Sequence, residues 1–305
     1  MVEVLRTPDD RFVGLPDYDF APHYTEVAAD DGTVLRFHHV EEGPADGSPV
    51  LLMHGNPSWS YLHRHMVRGL AARGHRVLAL DLMGLGRSDK PTDRSFFTLA
   101  RHVDLVSQWV VANDLRHATL YCQDWGGTIG LNVLAREGDR FDRVIASNTG
   151  LPVGEGVNAF MQQWLDFSQA ADELPIGALV RGGVTRSLSD AEAAAYDAPF
   201  PDKRYQASAL EFPLLIPVQP DNPGVPQCRE TWTYLEAWTK PFLTVFGTDD
   251  MVAYKPGAHR KLQRLIPGAQ GLDHIEIEGA NHFIQEDAPE RLVEIIDTFI
   301  RTDGT

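Results

Sequence analysis

Four short apolar runs do most to constrain how this chain can fold. Val50-Leu51-Leu52-Met53, Val77-Leu78-Ala79-Leu80, Ala118-Thr119-Leu120-Tyr121-Cys122 and Val144-Ile145-Ala146-Ser147 carry no charged residue. Such runs fit strands buried on both faces of a parallel sheet, because a strand with one face in water alternates apolar and polar residues. Helical periodicity separates them, over Ser60 to Arg73, Thr98 to Asn113 and Thr128 to Arg136. The order β, α, β, α predicts a parallel sheet wrapped by helices, with its reactive groups at the carboxyl ends of the strands.

Before these runs, a Pro- and Asp-rich arm leads to about His23. A hairpin is then expected, Tyr24 to Val27 against Leu35 to Val40, turning at Asp31-Gly32. After about Leu151 the alternation stops. Helical stretches, Ala159 to Ala171 and Asp190 to Tyr196, are separated by Pro-rich segments read as turns, Ala198-Pro199-Phe200-Pro201 and Phe212-Pro213. The sheet resumes at Phe242 to Phe246. A helix at Gly257 to Leu265, a strand at Asp273 to Ile277 and a helix at Pro289 to Ile300 follow. The expected division is a core domain of residues 1–151 and 229–305, with residues 152–228 inserted as a helical cap over the strand ends.

Gln123-Asp124-Trp125-Gly126-Gly127 joins the strand ending at Cys122 to the helix that follows. A sharp strand-to-helix turn that presents a nucleophile usually reads G-x-S-x-G, with glycines relieving crowding. Here Gly126 keeps the last glycine position, Cys122 replaces the first, and Asp124 stands where serine would. Two further ionisable residues follow strand ends: Asp250 in Gly247-Thr248-Asp249-Asp250 and His282 in Gly279-Ala280-Asn281-His282-Phe283. Singly, each is explained as a helix cap or a structural hydrogen-bond donor. Together they reproduce the chain order of a nucleophile, acid and histidine triad.

An aspartate nucleophile changes the reaction. A carboxylate is already an anion at neutral pH, and its natural target is a saturated carbon bearing a leaving group, which yields an alkyl ester of the enzyme. His282 would then take a proton from the water that cleaves the ester, with Asp250 orienting the ring. Backbone N–H groups of Asn56 and Trp125 are placed to hold the developing oxyanion. A halide leaving group needs donors without negative charge, and the Trp125 indole is donor only. Trp164 or the side-chain amide of Asn56 supplies the second donor. Trp164 lies in an apolar stripe with Phe160 and Phe167, a pattern that plain packing also produces.

Composition narrows the partners. With 27 Lys+Arg against 43 Asp+Glu the formal net charge is -16, which repels nucleic acid and anionic membranes. The 2 cysteines, Cys122 and Cys228, lack the number for a disulfide framework and the spacing of a metal motif, so no metal and a cytoplasmic location are expected. Neither a signal peptide nor a membrane-spanning run is expected.

With these residues assembled, the chain resembles a haloalkane dehalogenase of the α/β-hydrolase superfamily. The likeness runs through LRTPDDRF and FAPHY, HGNPSWSYLHR, DLMGLGRSDKP, CQDWGG, APFPDKRYQA, FGTDD and NHFIQED. It implies a mostly parallel eight-stranded sheet with a helical cap, no cofactor, hydrolysis of halogenated alkanes to alcohol and halide, and a role in detoxification. The subfamily it most resembles places its catalytic acid after the strand that follows the cap, which matches Asp250, while Asn148 is not an acid. That subfamily holds halide with a Trp-Trp pair, matching Trp125 and Trp164, but usually has Glu where this chain has Asn56; other subfamilies use Asn there as a halide donor. The alternatives are an epoxide hydrolase, which shares the Asp nucleophile and needs proton donors such as Tyr196 and Tyr205, and a hydrolase fold kept as a binding protein or cofactor-free oxygenase.

Overall fold

A computed structural model describes residues 2–302. The eight strands of the main sheet are β1 (Pro22–Ala28), β2 (Val34–Glu42), β3 (Pro49–Met53), β4 (Arg76–Leu80), β5 (Ala118–Gln123), β6 (Phe141–Ser147), β7 (Phe242–Gly247) and β8 (Ile275–Ile277). Their spatial order is β8-β7-β6-β5-β3-β4-β2-β1. The pairings from β8 across to β4 are parallel; β2 runs antiparallel to β4, and β1 to β2. The four apolar runs of the sequence are thus β3, β4, β5 and the second half of β6. β5 is buried at every position, as a strand covered by helices on both faces must be.

Helices α1 (Arg64–Ala71), α2 (Leu99–Ala112) and α3 (Trp125–Glu137) follow β3, β4 and β5. The Thr98 side chain caps α2 by accepting from Arg101 N–H. The predicted helix from Ser60 begins instead as a 3-10 turn, Ser60–His63, before α1. Leu99 and Val103 on α2, with Ile129 and Val133 on α3, bury apolar side chains in a core continuous with the sheet. In the arm, Val4–Leu5 pairs antiparallel with Lys90–Pro91.

Between β6 and β7 lie α4 (Ala159–Ala170), α5 (Ile176–Gly182), α6 (Asp190–Asp197), α7 (Ala207–Leu215) and α8 (Val225–Leu235), with no strand among them in the described residues. Phe212-Pro213, read from sequence as a turn, belongs instead to α7. Residue 228, the end of the expected insertion, falls inside α8. That helix is tied to the core: Thr231 Oγ1 donates to Asn132 Oδ1 on α3 at 2.6 Å, and Trp232 Nε1 donates to Leu151 O at 2.8 Å. The chain closes with α9 (Ala258–Leu265), the short α10 (Ile284–Asp287) and α11 (Pro289–Thr302).

A buried ionic cluster fastens residues 186–196 to α1 and α10. Glu286 on α10 accepts from Arg64 on α1 at 2.5 and 3.1 Å, and from Arg186 and the Tyr196 hydroxyl. Glu192 on α6 accepts from Arg64 at 3.2 Å and from Arg186 at 2.7 Å. Two guanidinium groups thus face two carboxylates, so the charges that leave water are paired and hydrogen-bonded.

Candidate active site

Asp124 sits between β5 and α3 with φ 51° and ψ −125°, a backbone conformation that costs free energy for a non-glycine residue. The turn holds because its neighbours leave room. A Cβ on Gly126 would strike the Met53 carbonyl of β3, and one on Gly55 would strike the Asp124 side chain. The loop after β3 can therefore press its backbone against the carboxylate, and Asn56 N–H donates to Asp124 Oδ1 at 2.9 Å. His54 pins that loop from below: its Nδ1 lies 2.8 Å from Gly55 O, and Leu82 N–H donates to its Nε2 at 3.0 Å. The Trp125 N–H opens α3, where helical amides have no intrahelical partner.

His282, after β8, faces both carboxylates. Its Nε2 lies 3.5 Å from Asp124 Oδ2, and its Nδ1 lies 3.1 Å from Asp250 Oδ1. Asp250 is fully buried and accepts from Val252 N–H at 2.8 Å and Ala253 N–H at 3.1 Å. Burial opposes its ionisation, but His282 and those backbone donors outweigh this and hold its carboxyl below the ordinary range. Burial likewise disfavours charge on the His282 ring; the facing Asp250 and Asp124 more than offset it and raise its pKa to about 10. The three residues singled out in the sequence thus come together at three strand exits.

Sequence reasoning passed over two residues that hold the histidine. Gln123 Nε2 donates to His282 O at 3.2 Å and lies 3.3 Å from His282 Nε2. Asn148 Nδ2 donates to the carbonyls of Asn281 at 2.8 Å and His282 at 3.0 Å, while its Oδ1 accepts from Gly247 N–H at 2.8 Å. Asn148 thereby ties the ends of β6 and β7 to the His282 loop. The available signal was an amide residue at a strand exit; its φ of 39° is positive, like that of Asp124.

A cavity of about 540 Å³ opens beside Asp124 and Trp125, lined also by Leu151, Met161, Ile216 and Trp232. Trp125 is 5% exposed and packs against Phe212 on α7 with ring centroids 4.9 Å apart. Among the described residues Trp164 is not part of the lining. It is half-buried on α4, 6.0 Å from the Phe167 ring, and three residues after Met161, hence on the same helical face. Phe160, Phe167 and Leu214 are exposed.

Asn56 is anchored from an unexpected direction. Its Nδ2 donates to Ala209 O on α7 at 3.2 Å. Pro213, four residues after Ala209, has no N–H with which to claim that carbonyl, so the proline in α7 leaves it free for Asn56.

Comparisons with known proteins give the family. A family model described as alpha/beta hydrolase fold matches residues 48–289. Haloalkane dehalogenases of Mycobacterium marinum and Psychrobacter cryohalolentis are 49% identical over 296 residues and 46% identical over 300; the alignments cover 97% and 98% of this chain and 99% and 98% of the relatives. This chain belongs to the haloalkane dehalogenase family. The solved structure of the haloalkane dehalogenase DpaA from Paraglaciecola agarilytica superposes with a TM-score of 0.89 at 34% identity, covering 96% of this chain and 97% of that one. Within this dehalogenase, the tyrosines a ring-opening epoxide hydrolase would need do not line the cavity among the described residues. Tyr196 is fully buried with its hydroxyl on Glu286, and Tyr205 packs partly buried against the core. No helix among the described residues is long and apolar enough to cross a membrane.

Proposed function

We propose that this chain hydrolyses haloalkanes by a two-step displacement at Asp124. The observation that carries the mechanism is the division of labour between the two carboxylate oxygens. Oδ1 receives the Asn56 N–H, while Oδ2 faces His282 and stays available for attack. Oδ2 attacks the carbon bearing the halogen; a C–O bond forms as the carbon–halogen bond breaks, and the halide leaves with the electron pair. Trp125 supplies one halide donor, and Trp164 or Asn56 the second. Water then loses a proton to His282 Nε2 as its oxygen adds to the ester carbonyl, whose oxyanion is held by the N–H groups of Asn56 and Trp125. Collapse releases the alcohol and restores the carboxylate, with the proton taken from water left on His282.

The raised His282 pKa fits this sequence of events. Between two carboxylates the ring is protonated at neutral pH and is a poor base. Formation of the ester removes the Asp124 charge, which lowers the pKa and frees Nε2 when a base is needed. Asp250 retains the Nδ1 proton and stabilises the imidazolium when it re-forms.

Residues 152–228 act in this reading as a cap on a core of residues 1–151 and 229–305. The two cysteines, buried and unbridged, fit a reducing cytoplasm, where removal of halogen from alkylating compounds would serve detoxification. The test is halide and alcohol release from 1,2-dibromoethane or 1-bromobutane, set against diol formation from styrene oxide. Folded protein that releases no halide from a broad panel of chloro-, bromo- and iodoalkanes would overturn the proposal.

A further inference from the structure

We propose that His23, His39 and Glu41 form a binding site for a divalent transition-metal ion of the zinc, nickel or copper kind, on the β1–β2 hairpin and separate from the active site. His23 on β1 and His39 on β2 are directly opposed partners in the antiparallel pairing. Glu41 lies two residues beyond His39, so all three side chains leave the same face of the hairpin. One ligand atom from each lies within 4.8 Å of the others.

The internal contacts favour a ligand between them. His39 Nε2 stands 3.7 Å from Glu41 Oε2, too far for a hydrogen bond but close to the separation of roughly 3.4 Å between two ligands on one tetrahedral ion. The His39 ring is 3% exposed, and its Nδ1 is buried without a partner. Glu41 is already oriented, because Arg76 Nε donates to its Oε1 at 2.6 Å and leaves Oε2 for the ion. The His39 ring is braced edge-on by Trp109 at 5.0 Å and stacked by His23 at 5.5 Å. Exposed His23 leaves the remaining coordination positions to water. Two imidazoles and one carboxylate suit zinc, nickel or copper better than magnesium or calcium, which prefer oxygen ligands.

The ion would act as a clip. Among the described residues β1 is the outermost strand and joins the sheet only through β2, so a bridge from His23 to His39 stabilises the folded hairpin. The full chain, stripped with a chelator, is titrated with zinc chloride while its melting temperature is followed, and copper(II) is added for electron paramagnetic resonance. Zinc should raise the melting temperature with a single equivalent bound, and the copper spectrum should show coupling to two imidazole nitrogens. His23→Ala alters an exposed position on the edge strand; it should weaken zinc binding by at least about tenfold, lose one nitrogen coupling and leave metal-free dehalogenation unchanged. Glu41→Gln should weaken zinc binding and keep both nitrogens. Absence of zinc stabilisation, or equal binding by wild type and His23→Ala, would overturn the site.

Discussion

In the proposed reaction the elbow around Asp124 and the helix α4 around Trp164 each offer an indole, yet the two are built differently. At the elbow each functional atom is placed by backbone: Asp124 follows β5, Asn56 follows β3, and one N–H of the second loop reaches the carboxylate of the first. On α4, which packs against α7, no side chain among the described residues hydrogen-bonds to a strand exit. Phe160 and Phe167 are 41% and 45% exposed, the buried positions are Leu165 and Ser168, and the cavity contact is Met161. Strand exits are positioned by hydrogen bonds to neighbouring strands, whereas a surface helix is free to turn about its axis until a packing partner stops it. A slip of one residue rotates its face by about 100°.

If that difference is real, damage at the elbow must far exceed damage on α4. Asp124→Asn should lower turnover by at least about four orders of magnitude, measured as halide release, apart from any slow return of the amide to the acid. His282→Phe should lose turnover to a similar degree but still react once, so mass spectrometry should find the substrate's alkyl group on Asp124. A folded His282→Phe protein without that adduct would refute the two-step scheme. A Trp164→Phe loss as large as that of Asp124→Asn would erase the contrast between the two regions.

The same contrast explains what the sequence made legible. The apolar runs at residues 50–53, 77–80, 118–122 and 144–147 identify parallel strands because burial on both faces leaves no other composition, and Asp124, Asp250 and His282 announce themselves by following strands. Pro213 is the opposite case. A proline reads as a breaker, but here it lies in the last turn of α7, and the carbonyl it leaves unpaired is taken by an amide 153 residues away. Asn148 and Gln123 were illegible for the same reason: their contacts to the His282 loop are long-range and carry no local pattern. The exposure of Phe160 and Phe167 was not legible, because a stripe of Phe160, Trp164 and Phe167 has core-like spacing whether or not another layer covers it.

A pH titration sharpens the elbow side of the comparison. The folded-state pKa of His282 is raised from 6.5 to about 10, so the folded protein retains a proton that the unfolded chain releases. The resulting stability is fully present below pH 6.5, falls as the pH rises and is gone above about 10. Asp250 works in the other direction: its depressed pKa gives stability that is lost in acid. Urea denaturation at several pH values should therefore show a decline on the alkaline side that His282→Phe flattens. A His282→Phe protein with the wild-type alkaline slope would show that the ring carries no extra proton between its carboxylates.

The smallest expected effect discriminates between the two candidates for the second halide donor. Asn56 has one amide proton committed to Ala209 O, and its side chain is tethered to α7 by that bond. Trp164 has no hydrogen bond on its indole nitrogen among the described residues, and it shares a helical face with Met161, which already lines the cavity. An uncommitted donor on a face directed at the cavity has more to give an anion than an amide already half engaged. Trp164→Phe should therefore raise the chloride dissociation constant about tenfold, the loss expected for one hydrogen bond to an ion, and Asn56→Ala less than about threefold. Fluorescence quenching by chloride measures both. The reverse order would move the second donor from α4 to the loop after β3, so that both halide contacts would come from strand exits and the insertion would only shape the cavity.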